Sequence, residues 1–415
     1  MTHNLRINGQ RLWETLMEIG EIGATDRGGS HRLTLSDEDK QARDRFVEWV
    51  EATGCTVAVD RLGNIFARRP GKDDSRHPVA IGSHLDTQPF GGKFDGVFGV
   101  LAGLEIVRTL DDNNIETEAP LEIVNWTNEE GARFAPSMIA SGVFGGEFDL
   151  EYALNLTDID GIRFGDELAR IGYDGSLPVG VHPFAAFFEA HIEQGPVLEQ
   201  EGKTIGVVTG AQGFRWYDLI LRGQAAHTGS TPMVGRRNAL LGMAHIVAAV
   251  NQIALDHAPD GRGTVGSQVQ VAPGSRNIIP GRVDFTVDLR HPDADRLAGM
   301  DDALRTESRR IADEIGLDLT LEQISHTPPV VFDEGCVMAV QNACESLGYS
   351  YRRITSGAGH DACYVTRVAP ASMVFVPCAG GISHSEDESA KPEDLAAGCN
   401  VLLHAALSFV DIAGS

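Results

Sequence analysis

Two short apolar runs on either side of a strongly periodic segment limit the folds that this chain can adopt. The runs are PVAIGSH at 78–84 and PLEIVNWT at 120–127. Between them, apolar residues recur at helical spacing on one face: Val97, Val100, Leu101, Leu104, Val107 and Leu110. Strands that alternate with helices are typical of a largely parallel α/β sheet whose two faces are covered.

The middle third of the chain has a different order of elements. Its pattern predicts a strand, a helix over 236–255, two strands, a helix over 293–315 and a final strand. That β-α-β-β-α-β order is ferredoxin-like and makes a complete small domain. We therefore predict an α/β protein of two domains: a mainly parallel-sheet domain at 1–211 and 329–415, and an inserted ferredoxin-like α+β domain at 212–328.

Composition excludes several classes of protein. The chain has 415 residues and a formal net charge of −25, which disfavours a general affinity for nucleic acid. Its six cysteines form no CxxC pair, and we expect reduced, buried thiols. No segment has the run of about eighteen apolar residues that predicts a membrane span, and the N-terminus does not resemble a signal peptide. We expect a soluble cytoplasmic protein with no membrane partner.

The segment GSHLDTQPFGGKFDG places His84 at the end of an apolar strand, with Asp86 and Asp95 after it. Ligands of open α/β sheets gather beyond the carboxyl ends of strands. An HxD pair alone is more often a hydrogen-bonded structural pair, and Asp95 at a helix start is equally typical of an N-cap. These three residues therefore need support from elsewhere in the chain.

Three further strand ends give that support. Glu129 and Glu130 follow LEIVNW, His191 ends AAFFEAHI, and His384 follows SMVFVP across a Gly-Gly turn. Packing has no use for so many polar groups at the ends of apolar strands. Imidazole and carboxylate together suit Zn²⁺, Mn²⁺ or similar ions, and a carboxylate can bridge two of them. The sequence predicts a two-metal hydrolytic site.

In order along the chain, GSHLDT, GGKFDGVFGVLAGLE, NEEGARF, EAHIEQGPVLE, AAHTGSTPM, RNIIPG, DLRHP, GAGHDA and GISHSE resemble the M20 metallopeptidase-like family. Within it, HIEQGP and RNIIPG are most similar to the hydantoinase/carbamoylase branch of amidases. The resemblance implies a dinuclear metallohydrolase domain with an inserted lid and dimerisation domain. It also implies a homodimer and two divalent ions, Zn or Mn, with Co and Ni also compatible.

The resemblance also implies roles for individual residues in the metal site. Its expected metal ligands are His84, Asp95, Glu130, His191 and His384, with Asp95 bridging both ions. Glu129 is the expected general base, and Asp86 is expected to orient His84 through its other ring nitrogen.

Substrate recognition is expected to come largely from the inserted domain. The resemblance implies that His227 polarises the scissile carbonyl across a dimer interface and that Arg290 binds the substrate carboxylate. Asn277, Gln194 and the backbone of Gly357 and Gly359 are further expected substrate contacts. Arg290 could equally form an ordinary strand-end ion pair.

The resemblance implies hydrolysis of the ureido C–N bond of a small carboxylate, an N-carbamoyl-L-amino acid, with release of ammonia, carbon dioxide and the amino acid. One alternative is an allantoate amidohydrolase. Another is an aminoacylase or dipeptidase of the same superfamily. A non-catalytic metal-binding protein is a more distant alternative, which the presence of Glu129 disfavours.

Overall fold

The structure is a computed structural model that describes residues 4–412. The chain divides into two compact units, which we call unit 1 and unit 2. Unit 1 comprises the residues up to Gly210 and those from Val331 onwards, and unit 2 comprises Ala211–Val330. The boundaries expected from the change of element order lie within two residues of these limits.

Strands β1 to β15 occupy the following segments of the described chain: Thr56–Val59, Ile65–Arg69, Val79–His84, Leu121–Trp126, Ala186–Ile192, Ile205–Ala211, Gly213–Arg222, Ala226–His227, Arg262–Ala272, Ile278–Ile279, Arg282–His291, Asp318–Thr327, Val330–Val331, Tyr351–Ser356 and Ala371–Val376.

Helices α1 to α12 occupy these segments: Gly9–Gly20, Asp37–Ala52, Val97–Asp112, Ile139–Phe144, Leu150–Leu154, Phe164–Ile171, Val197–Glu201, Ala239–Asp256, Ala294–Ile315, Glu334–Leu347, Asp361–Val365 and Pro392–Val410. A 3₁₀ turn lies at Ala379–Gly381.

The sheet of unit 1 has nine strands, and its centre is parallel. The order is β1-β2-β4-β3-β5-β15-β6-β13, with β14 paired to β6. Strands β4, β3, β5 and β15 run parallel, and all of their residues are buried. This confirms the predicted α/β class with a mainly parallel central sheet. Because these four strands share one direction, their carboxyl ends meet at one edge of the sheet.

Register brings the predicted functional residues close to that edge. His84 is paired with Trp126, after which the chain leaves β4 towards Glu129. Phe375 of β15 is paired with His191 of β5. Helix α3 packs on β3 and begins two residues after Asp95. One edge of the sheet therefore supplies a rigid base for the residues that follow.

Unit 2 is an antiparallel sheet of four strands in the order β12-β7-β11-β9. Alternate residues of β7 and β11, such as Leu219 and Phe285, are buried under α8 and α9. The longer elements follow in the order β-α-β-β-α-β along the chain, and the two-residue strands β8 and β10 form a separate small ribbon.

Helix α8 is long and apolar enough, by length and composition, to cross a membrane. The lengths of the uninterrupted apolar runs in the sequence do not predict this segment. Only 28% of its apolar window is buried, because one side, with Ile246 and Val250, packs in the core of unit 2 while Leu240, Val247 and Leu255 remain exposed. A single helix of this length and composition is weak evidence for a membrane span.

Candidate metal centre

The candidate metal centre lies at the carboxyl ends of the parallel strands of unit 1. His84 is the last residue of β3, and His191 is the next-to-last residue of β5; both are almost fully buried. Glu129 and Glu130 lie in the loop after β4, and His384 lies in the loop after β15. The strand-end pattern in the sequence therefore placed all five residues on the correct loops or strand ends.

Backbone carbonyls fix the orientation of both strand-end histidines. Nδ1 of His84 lies 2.8 Å from the carbonyl oxygen of Asp86, and Nδ1 of His191 lies 2.8 Å from that of Ile192. Because a carbonyl can only accept a hydrogen bond, Nδ1 carries the proton in each ring. The Nε2 lone pair of a neutral ring is then available to a cation.

Asp95 is shared by two groups of potential ligands. Its Oδ1 lies 2.9 Å from Nε2 of His191 and 3.7 Å from Nε2 of His84, whereas its Oδ2 lies 3.5 Å from Nε2 of His384. One group is His84, Asp95 and His191, and the other is Asp95, Glu130 and His384. Ligand atoms within each group lie within 4.8 Å of one another, so each group could hold one ion.

The start of α3 explains how Asp95 can serve both groups. The helix cap is Gly96, with φ of 68°, so the alternative of Asp95 as the N-cap is wrong. A Cβ atom at Gly96 would lie 2.2 Å from the ring of His84, so only glycine permits this approach. The carboxylate of Asp95 is thereby directed at the histidines rather than at the first turn of the helix.

The adjacent residues Glu129 and Glu130 have different surroundings. Glu130 Oε2 lies 3.4 Å from Nε2 of His384, and its buried Oε1 has no hydrogen-bond partner among residues 4–412. A bound cation would satisfy that oxygen. Glu129 Oε2 lies 3.5 Å from Nε2 of His84, but Glu129 belongs to neither group. The pair thus offers one ligand and one carboxylate that is free to carry a proton.

Asp86 contributes in a different way from the one predicted. Its Oδ1 lies 3.9 Å from Nδ1 of His84, which instead contacts the backbone carbonyl of Asp86. The two carboxylate oxygens accept hydrogen bonds, each of 3.3 Å, from the backbone amides of Glu129 and Glu130. The backbone carbonyl of Asp86 therefore orients the His84 ring, and the carboxylate of Asp86 holds the backbone of the loop that carries Glu129 and Glu130.

Burial of so many acids makes the centre favourable for positive charge. Burial, together with the neighbouring Asp361 and Asp95, raises the pKa values of Glu129 and Glu130 well above their usual range. Burial alone would also raise the pKa of Asp95, but His191 lowers it below its usual range. Burial lowers the pKa of His84 to about 4, which keeps that ring neutral and able to bind a cation. Divalent ions would offset the carboxylate charge.

Backbone strain is concentrated in the loops of this centre. Phe90, Asn128, Gln194 and His384 have φ between 54° and 60°, a left-handed conformation that non-glycine residues seldom adopt. Asn128 directly precedes Glu129, and His384 is itself a potential ligand. Such strain persists only where the surrounding structure enforces it, and it is typical of functional sites.

Two predicted substrate contacts of unit 2 lie next to each other. His227 in β8 is paired with Ile278 in β10, directly after Asn277. Nδ1 of His227 accepts hydrogen bonds from the amides of Gly229 and Ser230, at 3.0 and 3.2 Å. Since Nδ1 is an acceptor, the proton of the neutral ring is on Nε2, and the exposed ring can donate it to a substrate oxygen.

Arg290 lies near the end of β11 and is partly exposed. Its guanidinium pairs with Asp288, two residues earlier, at 2.8 Å, and lies over the ring of Phe214 at 5.5 Å from the centroid. Arg290 therefore forms the ordinary ion pair that the sequence left open as an alternative role.

The remaining predicted contacts lie in unit 1. Gln194 donates from Nε2 to Asp95 Oδ2 at 2.7 Å, while its buried Oε1 has no hydrogen-bond partner within residues 4–412. Gly357 and Gly359 lie in the loop between β14 and α11. A Cβ at Gly359 would lie 2.7 Å from Cε of Met138, so the flexible end of that side chain would have to shift.

Sequence reasoning missed the buried carboxylate of Glu189 beside the centre. Glu189, two residues before His191 on β5, accepts hydrogen bonds from Ser83 Oγ at 2.6 Å and from the amide of Ala362 at 3.0 Å. The His360 ring lies 4.6 Å from that of His191. Alternation along β5 could have identified Glu189, because it shares a face with His191.

Comparison with known proteins agrees with this geometry. The profile described as Peptidase family M20/M25/M40 matches residues 80–408. The chain belongs to that family. Its metal dependence is consistent with the two ligand groups described above. An N-carbamoyl-L-amino-acid amidohydrolase of Rhizobium meliloti is 51% identical over 409 residues, covering 99% of this chain and 98% of that protein.

A solved structure and a more distant relative extend the comparison. The crystal structure of an amidase of the hydantoinase/carbamoylase family from Burkholderia multivorans is 59% identical, with a TM-score of 0.96, and covers 98% of each chain. A ureidoglycolate hydrolase of Oryza sativa subsp. japonica is 35% identical over 382 residues, which is 89% of this chain and 78% of that protein. The family member described here is thus similar to hydrolases of non-peptide C–N bonds.

Proposed function

We propose that this hydrolase cleaves the ureido C–N bond of an N-carbamoyl-L-amino acid. The observation that carries the proposal is the pair of ligand groups that share Asp95, with the buried and unshared carboxylate of Glu129 beside them. The 51% identity to an N-carbamoyl-L-amino-acid amidohydrolase supports the choice of substrate.

We assign one ion to His84, Asp95 and His191, and a second to Asp95, Glu130 and His384. This mixture of nitrogen and oxygen donors suits Zn²⁺ or Mn²⁺, and Co²⁺ or Ni²⁺ would also fit. Bound ions would polarise the ureido carbonyl and lower the pKa of water at the centre.

Glu129 is assigned the proton transfers of the reaction. Its carboxylate takes a proton from the water that attacks the ureido carbon, and it then gives that proton to the nitrogen that leaves. The C–N bond to the amino acid breaks, and the carbamic acid that remains decomposes to ammonia and carbon dioxide. One water is consumed for each amino acid released.

Unit 2 supplies groups that suit the rest of the substrate. The N–H group at Nε2 of His227 would donate a hydrogen bond to the oxygen that gains negative charge in the transition state. Arg290 would bind the carboxylate as a planar fork, and Asn277 would donate a further hydrogen bond. In unit 1, Gln194 Oε1 would accept from the ureido nitrogen, and the backbone of Gly357 and Gly359 would face the carboxylate.

Replacement of Arg290 tests the substrate assignment. In Arg290→Gln, we expect KM for an N-carbamoyl-L-amino acid to rise by about 10- to 100-fold, because a charged hydrogen bond contributes roughly 1.5–3 kcal/mol. Steady-state kinetics should show a much smaller change for the corresponding carboxamide, which lacks the anion.

Arg282 provides a matched control on the same strand. It pairs with Asp284 as Arg290 pairs with Asp288, and it lies at the opposite end of β11. Arg282→Gln should leave KM unchanged. An equal rise in KM in both variants, or an unchanged KM in Arg290→Gln, would contradict the assigned role.

Allantoate is a second candidate substrate, because the relative named ureidoglycolate hydrolase indicates that other ureido carboxylates suit this family. Allantoate, like an N-carbamoyl amino acid, has a ureido carbonyl and a carboxylate. Comparison of kcat/KM for allantoate and for a series of N-carbamoyl-L-amino acids distinguishes the two. A preference for allantoate would keep the chemistry and change the substrate.

We propose that two copies of this chain pair through unit 2. Strand β9 is an edge of its sheet, and most of its residues are exposed. Helix α8 packs beside β9 and exposes the apolar side chains of Leu240, Val247 and Leu255. An open edge next to an exposed apolar strip is typical of a surface that a second copy covers. An isologous interface would pair the same elements of both subunits.

We expect the protein to have twice the mass of its 44.6 kDa chain in analytical ultracentrifugation. The double variant Leu240→Glu with Val247→Glu should sediment as a monomer, since carboxylates would be buried at the interface. The exposed Ile159 of unit 1 gives a control, because Ile159→Glu should remain dimeric. A monomeric wild-type protein would contradict the proposal.

We also propose that the enzyme works in the cytoplasm. Its six cysteines are free and buried. Buried thiols of this kind suit a reducing compartment, in which disulfides are rare. Localisation of a tagged copy by cell fractionation would test this.

A further inference from the structure

Glu388 reaches the metal centre from a distant part of the chain. It is 5% exposed, although it lies in the loop between β15 and α12. Its Oε1 accepts hydrogen bonds from the backbone amides of Phe94 and Asp95, at 2.9 and 3.2 Å. A single buried carboxylate therefore holds the two residues that precede the cap of α3.

Ser383 connects Glu388 to the side chain of Asp95. Its Oγ lies 2.6 Å from Asp95 Oδ2 and 3.0 Å from Glu388 Oε2. Asp95 Oδ2 is also the oxygen that lies 3.5 Å from Nε2 of His384. The connection thus holds the side of Asp95 that faces the second ligand group.

The turn before α3 is shaped to admit this carboxylate. A Cβ at Gly92 would lie 1.9 Å from the carboxyl carbon of Glu388. Any side chain at Gly92 would displace Glu388 from the two amides. Gly92 therefore provides space for Glu388 as well as part of a turn.

The two ligand groups differ in what holds them. His84 and His191 lie on central strands and are fixed by backbone carbonyls. His384 is half exposed and lies on a loop, with φ of 54°. Ser383 is its neighbour, and Glu388 is four residues later. The second group therefore depends on this loop for its geometry, whereas the first depends on the sheet.

We propose that Glu388 is a positioning residue that, through Ser383 and the start of α3, fixes Asp95 and His384 for the second ion. This rests on the ligand assignment made above. Glu388 itself is not a ligand in either group. Carboxylates that orient metal ligands in this way typically contribute about 10- to 100-fold to metal affinity.

Titration of the metal-free protein with Mn²⁺ tests the proposal without use of activity. Isothermal calorimetry should show two ions in the wild type. In Glu388→Ala, we expect one ion to bind about 10- to 100-fold more weakly and the other to stay within about threefold. Electron paramagnetic resonance should show loss of the coupled two-ion signal at Mn²⁺ levels that saturate the wild type.

Two further variants separate positioning from general damage. Glu388→Gln should recover most of the affinity, because its amide oxygen can accept from both backbone amides. Asp387→Asn removes the neighbouring exposed carboxylate, which pairs with Arg27, and should bind both ions normally. Equal weakening of both ions in Glu388→Ala, with no recovery in Glu388→Gln, would show a merely structural role and overturn the proposal.

The titration of the wild type distinguishes an error in the ligand assignment from an error in the positioning role alone. A wild type that binds a single ion would overturn the ligand assignment and the positioning role with it. A wild type that binds two ions, beside a Glu388→Ala variant with both affinities unchanged, would overturn the positioning role alone.

Discussion

Glu129→Gln should bind both metal ions and lose about 10²- to 10⁴-fold in kcat, the usual contribution of a general acid–base group. Glutamine has the shape of glutamate but cannot accept and return a proton. Glu129 belongs to neither ligand group, so metal content should not change. Steady-state ammonia release and metal analysis of the same preparation measure the two effects.

The neighbouring Glu130 gives a matched control. Glu130→Gln is the same chemical change one residue later, but Glu130 belongs to the second ligand group with Asp95 and His384. We expect that variant to lose an ion along with its activity. An active Glu129→Gln enzyme, or one that loses metal while Glu130→Gln retains it, would show that the two roles are assigned wrongly.

Asp95→Asn should lose both ions and reduce turnover to background. Each carboxylate oxygen of Asp95 faces a different ligand group. Loss of the negative charge of Asp95 should therefore weaken the binding of both ions. Added Mn²⁺ should raise the unfolding temperature of the wild type, because an ion that binds only the folded state stabilises it. The unfolding temperature of Asp95→Asn should not change when Mn²⁺ is added. Metal analysis after dialysis measures occupancy directly.

Asp112 at the other end of α3 is the control for this change. It is an exposed carboxylate that pairs with Arg11 at 2.8 Å. Asp112→Asn should keep both ions, its activity and the thermal response to Mn²⁺. Two retained ions in Asp95→Asn would mean that this carboxylate does not bridge them.

The parallel core of the sheet and the loops of the metal centre could be predicted because they depend on local patterns. Apolar runs such as those before His84 and Glu129 predict buried strands, and parallel strands end at a common edge. Polar residues after such runs have little role in packing. The element order of unit 2 also follows from periodicity alone.

Contacts between distant segments could not be predicted in the same way. Glu388 and Asp95 are separated by 293 residues, and no local pattern connects them. The carboxylate of Asp86 holds the backbone of the acidic loop rather than His84, because the backbone carbonyl of Asp86 already contacts that ring. The sequence indicated the candidate ligands at the strand ends, but it did not indicate Glu189 or Glu388 beside them, nor which atoms each residue uses.

The measurement that tests the central claim most directly is product analysis with the purified, metal-loaded protein. An N-carbamoyl-L-amino acid and the N-acetyl derivative of the same amino acid would be compared, with ammonia and the free amino acid measured together. We predict equal amounts of ammonia and amino acid from the carbamoyl compound, abolished by a chelator and restored by Mn²⁺ or Zn²⁺. Turnover of the acetyl derivative alone, or no turnover of any ureido carboxylate despite two bound ions, would contradict the proposed function.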